Sequence, residues 1–461
     1  MKTLRKIFSI SLLVCSFFLI IYVFYKSEII YNGLKRNYYL DHYLFSIIFL
    51  IFSILTFFLK KNYKDYFIIS FLAFFICIYI FESFLTFKKL NYINSNEVKN
   101  LNFIKKNYEE KTKIKYDIRT KLEVYNDLKK IENNISVTVR PNFHIYSKNQ
   151  DLFPLSGLSH SKTVYCNENG YYSIFKSDRY GFNNPDTEWD KDEIEFLLVG
   201  DSFTLGACVN RPNDIGSVLR FLTKKSILNL GYSGNGPLIE YATLREYLNQ
   251  NVKNIVWVFT ANNDFINLRK ELDSSLLKKY LINKNFTQKL KFKQDKIDDK
   301  IIKIINSNKE KSSGIDLGKK NKYLKFKIRN FIKLMEIRSL IRVYKESKTI
   351  KDEYNNKVSD ELILEFERIL KKAKDLAKAN NSNLYFVYLP DHQHYLKNNN
   401  NSNYLRIIDS VKKLDIKLID VHAEVFKKET NPLSLFPFEL PLHYNELGYK
   451  KVGEAIYNIV K

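Results

Sequence analysis

Three apolar runs near the start of the chain constrain its fold more than any other feature. They cover residues 7–25, 43–59 and 66–87, and the only charged residue among them is Glu82. A helix of about 20 apolar residues is long enough to cross the hydrocarbon core of a bilayer. We therefore predict a transmembrane region over 1–90. Buried helices of a soluble domain are the alternative for all three runs, and a cleaved signal peptide is an alternative for the first.

Basic residues beside these runs predict their orientation. Six of them precede the first run or lie between the second and third: Lys2, Arg5, Lys6, Lys60, Lys61 and Lys64. The loop between the first and second runs holds three, and two lysines after the third run reduce the difference. Because basic residues concentrate on the cytoplasmic side, we expect a cytoplasmic N-terminus. In a bacterium this predicts a multi-pass protein of the inner (cytoplasmic) membrane whose later part faces the periplasm or exterior.

Strands and helices alternate in the second half of the chain. Short apolar runs typical of buried strands cover Glu193–Val199, Asn254–Thr260, Leu384–Leu389 and Ile416–Val421. The segment 359–380 places its apolar residues at helical spacing. Such alternation is typical of a parallel sheet with helices on both faces. We therefore predict an α/β fold, a three-layer sandwich around a central parallel sheet.

A tight turn follows the first of these strands. Residues 200–204 read Gly-Asp-Ser-Phe-Thr, and a helical pattern comes next. Open α/β sheets place their chemistry at the carboxyl ends of strands, and a turn there exposes the hydroxyl of Ser202. A capped strand-to-helix turn without chemistry is the alternative, because Asp and Ser are ordinary N-cap residues.

Three later blocks each add one residue with suitable chemistry. A glycine-rich loop over 229–237 contains Gly234, whose backbone N–H can point at a developing oxyanion. Asn263 follows a strand and carries an amide that can donate to the same oxyanion. His443 precedes the C-terminal helix and is a natural general base near neutral pH. Taken singly, the three also fit a flexible loop, an Asx turn and a surface histidine.

Together the four blocks resemble the SGNH (GDSL-like) hydrolase superfamily over roughly residues 181–461, and they occur in that family's order. The resemblance implies a flavodoxin-like fold and acyl transfer through an acyl-enzyme. Ser202 would be the nucleophile and His443 the general base. The backbone N–H groups of Ser202 and Gly234 and the amide of Asn263 would form the oxyanion hole. No metal and no cofactor is implied.

Two positions depart from the family's pattern. Many members carry an Asp two or three residues before the catalytic histidine, where this chain has Leu440 and Pro441. The nearest acid upstream is Glu439. Either Glu439 orients the imidazole, or a backbone carbonyl does, or the site is a Ser-His dyad. Ala261 stands where the third block usually has glycine.

The rest of the chain divides by composition. Residues 91–130 are rich in lysine and asparagine and predict a helical stalk. Alternating segments predict a small β-rich lead-in over 131–190, before a hydrolase domain over 191–461. An insertion at 265–358 is too long for an ordinary loop, and it has helical patterns at 290–305 and 323–344.

The insertion is strongly basic. Lys and Arg outnumber Asp and Glu by 14 over 265–360, which is more than half of the net charge of +24. It follows Asn263 directly, so we expect it beside the mouth of the site. It could act as a lid or as a cationic rim that attracts an anionic glycan or a lipid head group. A solvated helical hairpin is the equally weighted alternative.

Other candidate groups leave more alternatives open. His392 and His394 lack further ligands at convincing spacing for a metal, so contact with substrate and simple surface exposure remain. Cys166 and Cys208 could pair, or Cys208 could be a small buried residue. No nucleic-acid fold is visible, so we expect no nucleic-acid partner. The oligomeric state stays open.

These observations predict a membrane-anchored serine esterase. Its partners would be the lipid bilayer and an acylated glycan or lipid. The substrate would be the O-acyl groups, such as O-acetyl, of a cell-surface or exported polysaccharide. The alternatives are an O-acyltransferase on such a glycan, a lysophospholipase or lipase, and an inactive glycan-binding component of an envelope-assembly complex.

Overall fold

The computed structural model describes residues 2–33, 36–92, 98–145, 151–248, 251–261, 263–312, 328–341, 358–395 and 402–461. These residues fall into two compact units. The N-terminal unit contains the described residues up to 98 together with 328–341. The C-terminal unit contains the other described residues.

Three long helices form most of the N-terminal unit. They are Lys2–Phe24, which continues as a π-helix over Tyr25–Ile30, then Arg36–Phe58 and Lys61–Tyr92. The stretches Thr3–Ile30, Arg36–Phe58 and Lys61–Lys88 are each long and apolar enough to cross a membrane. The prediction of three N-terminal helices of this kind is therefore confirmed.

Part of the predicted insertion belongs to the N-terminal unit. Residues 328–332 and 335–341 are helical. The buried carboxylate of Glu82 accepts the backbone N–H groups of Glu336 and Ile337, both at 2.9 Å, where the second segment begins. The hydroxyl of Tyr79 donates to the carbonyl of Ile332 at 3.1 Å. This part of the insertion thus contacts the third long helix, and the remainder of the predicted helix at 323–344 lies outside the described residues.

A five-stranded parallel sheet forms the centre of the C-terminal unit. Three strands of a smaller sheet precede it in the chain, so its own strands are numbered β4 to β8. They are β4 (Ile194–Val199), β5 (Ile227–Asn229), β6 (Val252–Thr260), β7 (Asn383–Leu389) and β8 (Lys417–Asp420). The order across the sheet is β5-β4-β6-β7-β8, and every neighbouring pair is parallel. Counted from the first of these strands, this is the 2-1-3-4-5 order of flavodoxin-like sheets, whose switch point lies between β4 and β6.

Helices cover both faces of the sheet. On one face, Leu198 and Val387 pack in one core with Leu219 and Val452 of two flanking helices. On the other face, the ring of Phe366 lies 5.0 Å from that of Phe259. The predicted three-layer α/β fold class is therefore confirmed. The longer helices of this unit are Val98–Thr112, Lys121–Lys129, Ile215–Thr223, Pro237–Tyr247, Asn263–Glu271, Ser275–Ile282, Gln294–Ser312, Asp360–Ala379, Ser402–Lys413 and Glu446–Val460.

A small sheet precedes the central one. It consists of β1 (Ile135–Val137), β2 (Lys162–Val164) and β3 (Ile174–Lys176), with β1 parallel and β3 antiparallel to β2. The helix Lys121–Lys129 packs Val124 against this sheet. The residues that the composition predicts as a stalk therefore include a helix that is packed on the lead-in sheet.

The turn over 177–185 fastens the lead-in to the central sheet. Asn183 donates to the carbonyl of Leu205 at 3.0 Å. The amide of Asn184 donates to the carbonyl of Asn229, at the end of β5, and to the carboxylate of Asp178, both at 2.9 Å. These bonds tie the lead-in to the nucleophile helix and to the end of β5.

Candidate active site

The nucleophile turn is built by three consecutive residues at the end of β4. A Cβ atom at Gly200 would lie 2.1 Å from the hydroxyl oxygen of Thr204 and 2.7 Å from the carbonyl oxygen of Val258, so only glycine fits there. Asp201 caps the short helix Ser202–Leu205 by accepting the N–H of Phe203 at 2.9 Å. Ser202 is thereby held at the first position of that helix, beside the switch point of the sheet.

His443 lies within hydrogen-bond distance of the serine. Its Nε2 is 2.8 Å from the Oγ of Ser202. Its Nδ1 is 3.0 Å from both carboxylate oxygens of Glu168, and its backbone N–H donates to Glu168 at 2.8 Å. A carboxylate accepts and does not donate, so Nδ1 carries the proton and Nε2 is free to accept the proton of the serine hydroxyl. The three side chains form a serine–histidine–acid chain.

The acid in this chain corrects the expectation for Glu439. The carboxylate of Glu439 accepts from the amide of Asn431 at 2.9 Å, and its backbone carbonyl contacts Nε2 of His392 at 2.8 Å. The backbone turns tightly between Glu439 and His443, because the N–H of Leu442 donates to the carbonyl of Leu440 at 2.7 Å. This turn takes the side chain of Glu439 away from the imidazole, and Glu168 from the lead-in occupies the position.

A disulfide holds the loop that carries Glu168. Cys166 and Cys208 are bonded, which joins that loop to the segment after the nucleophile helix. The amide of Asn169 also donates to the carbonyl of Cys208 at 3.0 Å. The disulfide therefore joins the lead-in to the segment after Ser202, although the residues alone leave its pairing open.

The electrostatics of Glu168 favour its charged form. Burial would raise the pKa of this carboxyl, but the hydrogen bonds from His443 and the charge of the imidazole outweigh burial and lower the pKa below its usual value. Glu168 therefore stays ionised at neutral pH and can stabilise a protonated imidazole.

The two other predicted residues face the same cavity as the serine. Gly234 has φ +79°, a conformation that favours glycine. The amide of Asn263 donates to Asp201 at 2.6 Å, and its oxygen accepts from Asn267 at 3.4 Å. An amide nitrogen carries two protons. Among the residues that the structure describes, no second acceptor meets the amide of Asn263, so one of its protons can serve an oxyanion in the cavity.

One helix supports the positions of both Gly234 and Asn263. Asn263 begins the helix Asn263–Glu271, and Glu271 ends it. The buried carboxyl of Glu271 accepts the N–H groups of Gly236 and Leu238 at 2.6 and 2.9 Å, just after Gly234. Burial raises the pKa of Glu271 to about 8, although these hydrogen bonds oppose the shift.

His392 and His394 are both buried, so surface exposure, one of the two alternatives that the sequence leaves open, is wrong. His392 lines the cavity of Ser202. His394 packs against His422 with ring centroids 4.2 Å apart, and burial lowers its pKa to about 4.

The cavity over the serine has a volume of about 450 Å³. Most of the side chains around it are polar or charged. They are Arg140, Asn142, Tyr165, Glu168, Ser202, Phe203, Ser233, Gly234, Thr260, Asn263, Ile266, Asn267, Lys270, Asp391, His392, Gln393, Pro441, Leu442 and His443.

Comparisons with known proteins find similarity among solved structures. No family model and no curated protein sequence matches the chain. A structure assigned to the lipolytic G-D-S-L family, from Desulfitobacterium hafniense, aligns at 14% identity with a TM-score of 0.33, over 58% of this chain and 99% of its own. A G-D-S-L family member from Veillonella parvula aligns at 11% identity and a TM-score of 0.31, over 58% and 97%. An acetylxylan esterase from Geobacillus stearothermophilus aligns at 13% identity and a TM-score of 0.30, over 57% and 93%.

Proposed function

We propose that this protein is a membrane-anchored serine esterase that removes a short acyl group from a glycan. The observation that carries the proposal is the hydrogen-bonded chain from Ser202 through His443 to Glu168. A serine hydroxyl is a weak nucleophile until a base takes its proton. Here Nε2 of His443 lies 2.8 Å from the hydroxyl oxygen of Ser202, and the carboxylate of Glu168 fixes the tautomer of the imidazole.

The reaction follows from these positions. Ser202 Oγ attacks the ester carbonyl as its proton passes to Nε2 of His443, and the carbonyl oxygen becomes an oxyanion. The N–H groups of Ser202 and Gly234 and the free amide proton of Asn263 stabilise that charge, each by about 3 kcal/mol. The imidazolium then protonates the departing alcohol. Water, activated by His443, attacks the acyl-enzyme, releases the acid and restores the serine.

The wall of the cavity supports a glycan rather than a lipid as the substrate. Among the described residues, only Phe203, Ile266, Pro441, Leu442 and the ring of Tyr165 supply apolar surface to it. A long acyl chain needs an extended apolar surface. Hydroxyl, amide and charged groups match a sugar that carries a small acyl group such as acetyl.

We further propose that the C-terminal unit faces the periplasm or exterior from the inner membrane. The excess of basic residues before the first and third spans supports a cytoplasmic N-terminus, and three spans then place the later chain outside. The disulfide between Cys166 and Cys208 supports the same side, because disulfides persist in oxidising compartments.

The test uses the full chain in detergent or nanodiscs. Wild type should hydrolyse 4-nitrophenyl acetate, and Ser202→Ala should lose about a thousandfold or more in kcat/KM. Nitrophenyl esters with acyl chains of increasing length distinguish an esterase from a lipase. Preference for acetyl supports the proposal, and preference for long acyl chains favours a lipase. Faster release of nitrophenol on addition of a sugar acceptor would favour an O-acyltransferase. No serine-dependent turnover with intact glycan binding would favour a non-catalytic glycan-binding component.

A further inference from the structure

Two neighbouring cations, Arg140 and Lys121, lie on the side of the cavity that Gly234 lines, and Lys270 also lines the cavity. Arg140 is exposed and lines the cavity, and it directly precedes a turn at Pro141–His144. A Cβ atom on Gly234 would come within 3.2 Å of the Cδ of Arg140 and 3.0 Å of the amide nitrogen of Asn142. Arg140 therefore lies against the residue that we propose as an oxyanion donor.

Lys121 adds a second positive charge at the same place. Its ammonium lies 5.6 Å from the ring centroid of Tyr165, which also lines the cavity. It is the first residue of the helix Lys121–Lys129, where the helix dipole disfavours a cation. Burial, with the nearby charge of Arg140, lowers the pKa of Lys121 to about 8.

Neither cation is paired within the part of the chain that the structure describes. The basic residues of 117–190 that form ion pairs there are Arg119, Lys130, Lys162 and Arg179 instead. The carboxylates that line the cavity have other partners. Glu168 accepts from His443, and Asp391 accepts the backbone N–H of His394 at 3.1 Å. Two adjacent like charges without a counter-charge are unfavourable unless an anion joins them.

We infer that Arg140, with Lys121 behind it, binds a negatively charged group of the substrate next to the scissile ester. This inference rests on the proposed esterase function and narrows its substrate to an acidic glycan. The group would be a carboxylate, as on a uronic acid, or a phosphate. The planar guanidinium of Arg140 can bind either one through two parallel hydrogen bonds.

Paired esters test the inference on the full chain. The anionic substrates are 4-acetoxybenzoate and 4-acetoxyphenyl phosphate, and the neutral partner is methyl 4-acetoxybenzoate. Arg140→Gln should lower kcat/KM for the anionic esters about five- to tenfold and for the neutral ester less than about twofold. Lys121→Gln should have a smaller effect of the same kind, and both effects should shrink at high salt. The anionic ester whose kcat/KM falls more in Arg140→Gln identifies the group that the subsite prefers.

Lys130→Gln is the matched control, because it removes a lysine from the same helix region at an exposed site paired with Asp127. It should leave kcat/KM unchanged for both the anionic and the neutral esters. Equal losses on neutral and anionic esters in Arg140→Gln would overturn the inference, since they would mean a structural or direct oxyanion role. No loss on either would overturn it as well.

A binding measurement separates this inference from the proposed function. Ser202→Ala should bind oligogalacturonate more tightly than a neutral xylo-oligosaccharide, and adding Arg140→Gln should weaken only the former about five- to tenfold. If wild type hydrolyses no ester, the esterase proposal fails and this assay alone decides the anion subsite. Equal affinity for the two oligosaccharides would overturn the subsite while leaving the esterase proposal intact.

Discussion

The two units of this protein differ in where they place their large apolar side chains. In the N-terminal unit large apolar side chains face outward, such as those of Phe18 and Phe58, which are 67% and 81% exposed. Ser16 and Ser53 are buried there, and their hydroxyl oxygens lie 3.1 Å apart. In the C-terminal unit Trp257 and Phe386 are fully buried. A solvent that cannot hydrogen-bond favours the first arrangement, and water favours the second. The contrast indicates lipid around the first unit.

Each unit nevertheless holds one carboxylate against a partner far away in sequence. Glu82 accepts two backbone N–H groups from residues about 254 positions later. Glu168 accepts a backbone N–H and the imidazole N–H of His443, 275 positions later. Among the described residues, the carboxylate of Glu82 meets only backbone N–H groups, so it fixes structure. Glu168 meets a titratable ring beside a nucleophile, so it can also serve chemistry. Substitutions should separate these two roles.

The largest effect is expected for Glu168→Gln. The amide can present its N–H₂ to Nδ1 and so favour the wrong imidazole tautomer, with Nε2 protonated. We expect kcat to fall about 10³- to 10⁴-fold with little change in KM. Steady-state kinetics on 4-nitrophenyl acetate measure this, and thermal unfolding of the C-terminal unit provides the control. A loss of less than about threefold would contradict the triad.

The disulfide should matter for activity because it holds the loop of Glu168. We expect the double variant Cys166→Ser with Cys208→Ser to lose about 10- to 100-fold in kcat/KM, since a misplacement of about 1 Å can cost that much. Cys15→Ser with Cys77→Ser is the matched control, because these two cysteines are free. Full activity of the first double variant would show that Glu168 is positioned without the disulfide.

Glu82→Leu should weaken the packing of residues 328–341 without changing catalysis. It leaves the N–H groups of Glu336 and Ile337 without their acceptor, at a cost of about 2–3 kcal/mol. Hydrogen exchange of residues 328–341 in nanodiscs should rise clearly, while kcat on 4-nitrophenyl acetate stays within about twofold. Tyr79→Phe, which removes a single hydrogen bond, should show a smaller rise. Unchanged exchange in Glu82→Leu would contradict the contact.

Some of this contrast was accessible from the sequence and some was not. The central strands and the positions of Ser202 and His443 could be predicted because each lies in a short local pattern, an apolar run or a turn at its end. Glu168 could not, because it sits on a separate loop with no motif of its own, and the acid nearest to the histidine drew the prediction to Glu439. The packing of 328–341 on Glu82 could not be predicted either. Its donors are backbone N–H groups, which nearly every residue has, so no residue type indicates them.

A smaller effect is expected from pH. Lys121, which faces the ring of Tyr165 and the charge of Arg140, has its pKa lowered to about 8 by burial and that charge. It is charged below that pH and neutral above it. The ratio of kcat/KM for 4-acetoxybenzoate over its methyl ester should therefore fall about two- to threefold from pH 7 to pH 9. Taking the ratio cancels the titration of the triad. The same fall in Lys121→Gln would assign it to another group.

The smallest effect is expected for Glu439→Gln, and it sharpens the comparison with Glu168 most directly. The side chain of Glu439 bonds the amide of Asn431, and its contact with His392 uses the backbone carbonyl, which the substitution keeps. We therefore expect kcat/KM within about twofold of wild type, measured beside Glu168→Gln under the same conditions. A large loss in both variants would mean that the loop over 437–442 rearranges to bring the second carboxylate to the imidazole. A large loss in Glu439→Gln alone would transfer the role of the acid from the lead-in loop to the residue next to the histidine.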